Sequence, residues 1–307
     1  MLRLATVATV LGCLGACQGT LLGPGDAKGG DGPGGHGELG LHLDRALGEA
    51  GRPAEHGTKP KPEAGAKPDQ GTPGAIWKPA PGTSWHWQLT GTLDLSRPVK
   101  MYDIDLFNTT AQTIATLKAK GIAVICYFSA GSYEAWRPDA GDIPAAARGE
   151  KMEGWDELWL DIRSTGVRDV MKKRLDLAKS KGCDGVEPDN VDGYLNKTGF
   201  PLSSKDQIDF NSFLADEAHA RGLSVGLKND LEQVQQLVAK FDWALNEECV
   251  QFDECSMLTP FIQAGKAAFH VEYTPTTKAD VCPKVASLKL DSQIKKLELD
   301  AWSDPCW

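Results

Sequence analysis

From about residue 84 onward, short apolar or aromatic runs alternate with stretches of helical periodicity, and this alternation limits the fold more than any other feature. The runs at 85–89, 99–103, 123–128, 158–162, 184–187, 224–227, 243–246 and 268–272 have the length and composition of buried strands. Between them, Val167, Val170, Met171, Leu175 and Ala178 fall on one face of a helix over 167–178, and further helices are expected over 114–120, 207–221 and 231–241. Lys120-Gly121, Lys181-Gly182 and Arg221-Gly222 read as helix ends, where glycine takes the left-handed conformation at little cost. Strand–helix alternation implies a parallel sheet. Eight strands suit a closed (β/α)8 TIM barrel better than an open doubly wound sheet, and no GxGxxG or P-loop motif argues for the latter. The expectation is an α/β chain with a single (β/α)8 barrel.

The polar residues then collect at one end of that barrel. Nearly every expected strand runs into a polar cluster: Asp103 and Asp105; Ser129 and Ser132; Asp161; Glu187, Asp189 and Asn190; Lys228, Asn229 and Asp230; Asn246, Glu247 and Glu248; Glu272 and Tyr273. Active sites of such barrels form at the C-terminal ends of the strands. Glu187 and Asp189 are two residues apart, so on an extended strand they point the same way. Carboxylates aimed at one space repel, which favours a proton on one and charge on the other. An acidic turn or a solvated rim would place carboxylates here too, but not at so many strand ends at once.

The chain before the barrel is of another kind. All 9 Trp, 9 Phe and 5 Tyr lie at or after Trp77. Residues 18–76 hold 16 Gly and 7 Pro, a composition that cannot bury enough apolar surface to offset ordering. Residues 1–16 read as a signal peptide: Arg3, then a small apolar run too short to span a membrane. Leu14-Gly15-Ala16-Cys17 resembles a bacterial lipobox, so Cys17 is the expected lipid attachment, with Val10-Leu11-Gly12-Cys13 a poorer match. The division is therefore a lipoprotein-type signal at 1–16, a flexible linker at 17–76 with a weak helical island over 41–50, and the barrel with its tail at 77–307. The protein is expected to be exported, as a cell-envelope lipoprotein of the outer membrane or surface or in secreted form.

Export permits disulfides. Of the six cysteines beyond the signal, Cys249 and Cys255 are placed to close a small loop, and Cys282 and Cys306 to staple the tail. Cys126 and Cys183 sit in apolar runs and are left open between a bridge and free thiols. No cysteine or histidine spacing fits a structural metal, and no metal or cofactor is expected. The net charge is -9, of which the first 76 residues supply -1 (7 Lys/Arg against 8 Asp/Glu). An acidic barrel argues against nucleic acid and suits a cationic ligand.

The strand-end motifs also resemble a known family. YDID at 102–105, CYFSAGSYE at 126–134, WLDIR at 159–163, GCDGVEPDN at 182–190, GLKND at 226–230, NEEC at 246–249 and VEY at 271–273 are similar to the endo-α-1,4-polygalactosaminidases, glycoside hydrolase family 114, over about residues 84–275. The resemblance implies a barrel that cleaves α-1,4-linked galactosamine polymers internally with retention. It places the catalytic aspartate on Asp189 and the catalytic glutamate on Glu247. Glu248 adjoins Glu247, and parity near a strand end leaves the choice open; the resemblance favours Glu247.

Retaining hydrolysis needs two carboxyls about 5 Å apart, one nucleophile and one acid then base. Asp189 is taken as nucleophile and Glu247 as acid/base, with the exchange of these roles open. Lys228 and Asn229 would hold Asp189 ionised and bind a hydroxyl. Asp103, Asp105, Asp161, Glu187 and Glu272 are candidates to contact the amines of a cationic, galactosamine-containing polysaccharide, joined by Ser129, Asn190 and the sugar-stacking Tyr127 and Tyr273. A monomer is expected, meeting membrane only through Cys17. Two rivals remain: a metal-dependent hydrolase, for which only His270 stands near a strand end, and a surface lipoprotein that binds a cationic glycan without cutting it.

Overall fold

The computed structural model describes residues 75–307. The expected signal, the lipid-attachment Cys17 and the linker through residue 74 lie outside the described residues. Eight parallel strands form one curled sheet in sequence order: β1 (Trp85–Gln88), β2 (Met101–Asp105), β3 (Ala123–Ser129), β4 (Gly185–Asp189), β5 (Ser224–Lys228), β6 (Trp243–Glu247), β7 (Ala268–Tyr273) and β8 (Asp291–Lys295). A short strand, Asp304–Pro305, pairs antiparallel with β8. Hydrogen bonds bridge the two ends of the curl: Gly82 N–H donates to the Asp291 carboxylate at 3.0 Å, Trp85 Nε1 to Asp291 O at 2.9 Å, and Leu89 N–H to Leu299 O at 3.0 Å. The architecture is an α/β fold with a curled parallel sheet, consistent with a TIM barrel.

Helices α1 (Ala111–Ala119), α2 (Thr165–Lys181), α3 (Ser204–Ala220), α4 (Val234–Leu237), α5 (Thr259–Gln263) and α6 (Lys278–Ala286) follow β2 to β7 in turn. Gly121, Gly182 and Gly222, with φ of 76°, 90° and 70°, end α1, α2 and α3 as the Lys/Arg-Gly pairs predict. Ser203 and Asp206 start α3 with a reciprocal capping box. The helix expected over 231–241 shortens to a 3-10 turn, Leu231–Gln233, followed by α4.

Two expectations about strands are corrected. The run at 158–162 is not a barrel strand. Leu158–Leu160 is the middle strand of a small antiparallel sheet with Ser132–Tyr133 and Arg148–Lys151, inserted between β3 and α2. Its apolar residues pack that insertion, which makes them indistinguishable by composition from a barrel strand. The eighth parallel strand is instead β8, whose sequence DSQIK carries one apolar residue. Ser292, Gln293 and Lys295 are fully buried, and Lys295 Nζ donates to Asp300 O and Trp302 O at 2.6 and 2.7 Å. The carboxylate-bearing strands are therefore the fourth and sixth, not the fifth and seventh, with β5 between them.

Strand parity divides the core in two. Trp85, Trp87, Met101, Ile125, Trp243, Leu245, Phe269 and Val271 pack inside the curl. Alternate residues such as Tyr102, Val124, Cys126, Val186, Val225 and Ala268 pack against the helices. Three disulfides, Cys126–Cys183, Cys249–Cys255 and Cys282–Cys306, tie β3 to the loop before β4, close the loop after β6, and fasten the tail to α6. The interior holds Trp243 only because β5 offers no side chain opposite it: a Cβ on Gly226 would meet the indole at 2.4 Å. Gly226→Ala is therefore expected to destabilise the domain by about 1–3 kcal/mol through overpacking, measured as a lower denaturation midpoint; an unchanged midpoint would show that the indole can move aside.

Candidate active site

The inward parity that packs Trp243 and Leu245 on β6 brings Glu247 to the mouth of the curl, and on β4 it brings Glu187 and then Asp189. On β5 it brings Lys228, beyond the gap at Gly226. The ammonium of Lys228 is 2 % exposed and lies 3.1 Å from Asp189 Oδ1, 3.1 Å from Glu247 Oε2 and 3.2 Å from Glu187 Oε1. Beneath it the Trp87 ring centroid is 4.9 Å away, adding a cation–π contact in a desolvated setting. Burial alone would lower the lysine pKa, but Asp189, Glu247 and Glu187 together outweigh it and hold the ammonium charged.

The two rim carboxylates have matching phenols. Tyr127 on β3 donates to Asp189 Oδ2 at 2.9 Å, and Tyr273 on β7 donates to Glu247 Oε1. Burial first, then these carboxylates, pushes both phenols well above their ordinary pKa, so they remain donors. Asn229 serves Glu247 twice: its Nδ2 donates to Glu247 Oε2 at 3.1 Å, and its Oδ1 accepts the Glu247 N–H at 2.9 Å. Asn190 N–H donates to Asp189 Oδ1 at 2.7 Å, and Asn190 Nδ2 to Ser129 Oγ at 2.9 Å.

Each strand turns sharply just past its site residue. Asn190, Asn229 and Glu248 have φ of 60°, 50° and 62°, directly after Asp189, Lys228 and Glu247. Asparagine accepts this left-handed geometry more readily than most residues; glutamate has no such excuse, and strain of this kind gathers at functional sites. At Glu248 the turn sends the two neighbouring glutamates to different surroundings. Glu247 faces Lys228, whereas Glu248 donates its N–H to Val271 O and accepts from Gln251 Nε2. Close packing fixes Asn190 as well: a Cβ on Gly131 would lie 1.7 Å from the Asn190 carbonyl oxygen, while Ala130 and Gly131 N–H hold the Asp189 carbonyl.

Tyr127, Asp189, Asn190, Lys228, Asn229, Glu247 and Tyr273 thus come together. The other candidates take different positions. Asp103 and Glu187 have no exposed surface and lie beneath Lys228, out of reach of a substrate. Asp105 is buried, pairs with Arg137 at 2.7 Å and accepts the Phe107 and Asn108 N–H groups. Ser129 is buried between Ser132 and Asn190. Asp161 stands on the inserted sheet, paired with Arg163 at 2.8 Å. Glu272 has the opposite parity to Val271 and Tyr273; it accepts from the Val250 and Gln251 N–H groups and pairs with His270 at 3.0 Å. It secures the loop after Glu247 rather than facing the site. His270, Cys249 and Cys255 are the described residues grouped as metal ligands would be, but the two cysteines are joined in a disulfide.

Two features had no motif to announce them. Glu157, from the inserted sheet, accepts from Ser132 Oγ and is pushed up to about 7, chiefly by burial. Arg137 and Arg174 link Glu134, Asp105 and Asp139 behind β3, and Arg174 Nη1 also donates to Ser129 O at 2.6 Å. Their loop and helix positions carry no periodic signal.

Glycosidic bond cleavage uses a pair of carboxyls, and in barrels of this kind active sites form at the C-terminal ends of the strands, where Asp189 and Glu247 lie. The model of glycoside hydrolase family GH114 matches residues 66–307, and the chain belongs to that family: it is a glycoside hydrolase. Ega3 of Aspergillus fumigatus, solved in complex with galactosamine, is 43 % identical, with 76 % of this chain and 98 % of that chain covered and a TM-score of 0.73. The glycoside hydrolase domain of PelA from Pseudomonas aeruginosa shares the fold at 14 % identity, with 72 % and 97 % covered and a TM-score of 0.59. Comparison with curated proteins finds no match.

Several carboxyls around the site bind protons more tightly than in an unfolded chain. Burial is the chief cause in each: Glu187 rises from 4.5 to about 7, Glu157 from 4.5 to about 7, and Asp192 from 3.8 to about 6. Asp230, also buried, rises to about 9. At these groups the native state holds more protons than the unfolded state from about pH 4.5 up to their folded values, and the stability they contribute is lost as pH rises through those values. The melting temperature is expected to fall between pH 5 and pH 8, and Glu157→Gln to make that fall shallower. A melting temperature that rises over this range would contradict the buried-carboxyl account.

Proposed function

We propose that this protein is an endo-acting, retaining glycoside hydrolase that cleaves α-1,4-linked galactosamine-containing polysaccharide on a (β/α)8 barrel. The observation that carries the retaining reading is the shared ammonium. Asp189 Oδ1 and Glu247 Oε2 are each 3.1 Å from Lys228 Nζ, so they are separated by at most twice that distance. Retaining enzymes place their carboxyls about 5 Å apart, whereas inverting enzymes leave about 6.5–9.5 Å for a water between them.

In the first step Asp189 attacks the anomeric carbon while Glu247 gives its proton to the departing glycosidic oxygen. A glycosyl ester forms on Asp189, and the aglycone leaves as an alcohol. In the second step Glu247 takes a proton from water, whose oxygen attacks the same carbon and releases Asp189 as carboxylate. Negative charge passes from Asp189 to Glu247 and back, and Lys228 touches both, so the ammonium keeps a partner throughout. Lys228, Tyr127 and the Asn190 N–H all donate to Asp189, and these three donors fix its carboxyl in place for the nucleophile's role.

The substrate class rests on three supports. Ega3, at 43 % identity, binds galactosamine. De-N-acetylated galactosamine is cationic near neutral pH, and the chain carries -9. Glu157 adds a carboxylate close enough to feel Asp189 and Glu134. Three disulfides suit an oxidising compartment, which supports export by the leader at 1–16 and tethering through Cys17.

Incubation with partly de-N-acetylated α-1,4-galactosaminogalactan should release a ladder of oligosaccharides, read by mass spectrometry. Asp189→Asn and Glu247→Gln should each cut kcat/KM by roughly 10³-fold or more while leaving the fold intact. Binding without release by a folded wild type would favour the glycan-binding alternative; release by Asp189→Asn at the wild-type rate would remove it as nucleophile.

A further inference from the structure

Beneath Lys228 lie two carboxyls that the mechanism does not use. Asp103, on β2, and Glu187, on β4, are both 0 % exposed. They are within hydrogen-bonding reach of each other. No N–H or O–H of the protein is aimed at any of their four oxygens. The Lys228 ammonium is 3.2 Å from Glu187 Oε1, an ion-pair contact without hydrogen-bond geometry. Two ionised carboxylates in that position would leave their desolvated oxygens without a hydrogen bond, with one ammonium contact between them, and two like charges side by side, a costly arrangement in a protein interior. One proton removes both penalties, because it cancels a charge and supplies the missing donor.

We propose that Asp103 and Glu187 share one proton, carried by Asp103, and that this buried pair is the positioning device that holds Lys228 between Asp189 and Glu247. The placement of the proton follows from Lys228, which lies against Glu187 and so favours the charge there. Asp103 then donates its O–H to Glu187. Glu187 offsets the ammonium from below, and Asp189 and Glu247 each meet it at 3.1 Å from above. The direction of both titrations agrees: burial pushes both groups up, Asp103 well above the ordinary range and Glu187 to about 7. The titratable and charged groups facing the pair are Tyr127 from β3, Asp189 from β4, Lys228 from β5 and Glu247 from β6; β1 presents the uncharged Trp87.

The catalytic part of this inference rests on the retaining mechanism above; the shared proton does not, and the experiment separates them. In the full chain at neutral pH, an infrared difference spectrum of wild type against Asp103→Asn should show the C=O stretch of a buried carboxylic acid, lost in the variant. Glu187→Gln, which keeps Asp103 but changes its partner, should shift that band, and it decides the same point if Asp103→Asn fails to fold. Absence of the band from both difference spectra overturns the proposal.

In turnover, an asparagine at 103 still donates to Glu187 and is neutral, like the acid it replaces. Asp103→Asn should therefore lower kcat/KM by less than about tenfold and leave both limbs of its pH profile in place. Glu187→Gln removes a negative charge near Asp189 and Glu247, so both limbs should move to lower pH by roughly one unit, with kcat falling more than KM. A merely structural role for Asp103 would leave no band to lose. Asp103→Asn moving both limbs to lower pH would show Asp103 ionised and the proposal wrong. If wild type turns over no substrate, the functional reading fails while the band still decides the proton.

Discussion

A buried ammonium can persist only where negative charge surrounds it, and at Lys228 this requirement organises the mouth of the barrel. Three carboxylates on two neighbouring strands meet at its nitrogen, each about a hydrogen bond away. Remove the lysine and the three repel across a space with little water; remove the carboxylates and the lysine must lose its proton or leave. Neither side is stable alone. The geometry that holds them is the inward parity of β4, β5 and β6, the same parity that packs Trp243 and Leu245 in the interior below. A one-residue slip in any of these strands would turn its site residue toward the helices.

The turns after the strands serve the same end. Three consecutive site strands each leave the sheet through a left-handed residue placed directly after the reactive one. A strand continuing in extended geometry would send its next side chain to the helix side and carry the chain onward; the turn stops the strand with Asp189, Lys228 or Glu247 as its last inward residue. The surrounding contacts hold that strain in place: Gly131 gives the Asn190 carbonyl room, Glu272 gathers the Val250 and Gln251 N–H groups, and Cys249–Cys255 closes the loop after Glu248.

How much of this was readable beforehand depends on whether the physical cause leaves a local trace. The Glu187/Asp189 spacing, the glycine helix ends and the motifs at six barrel strand ends are local, and they led to the right kind of fold, while the motif at 159–163 fell on the inserted sheet. Parity was equally local for β7, where Phe269 and Val271 point inward, so that Tyr273 faces the site and Glu272 does not; the polar composition of the strand end hid this. β8 could not be found by hydrophobicity, because the interior it lines is polar and its lysine is satisfied by carbonyls of the following loop. The inserted sheet was mistaken for a strand of the barrel because burial in a small sheet and burial in a barrel select the same residues.

The acidic residues at the strand ends consequently do three separate kinds of work, which charge counting cannot distinguish. Asp189 and Glu247 keep partly exposed side chains at the mouth and share a cation, and on the proposed mechanism they are the two that act on the substrate. Asp105 and Glu272 are spent on backbone N–H groups, arginine and histidine, and fix loops. Asp103 and Glu187 are sealed below and can serve only by fixing the charge and position of Lys228. An acidic site for a cationic glycan therefore cannot be read as a tally of carboxylates facing the ligand. On the proposed reading, an incoming amine would meet the rim of Asp189, Glu247 and Glu157, with the buried lysine behind it setting how much of that negative charge remains available.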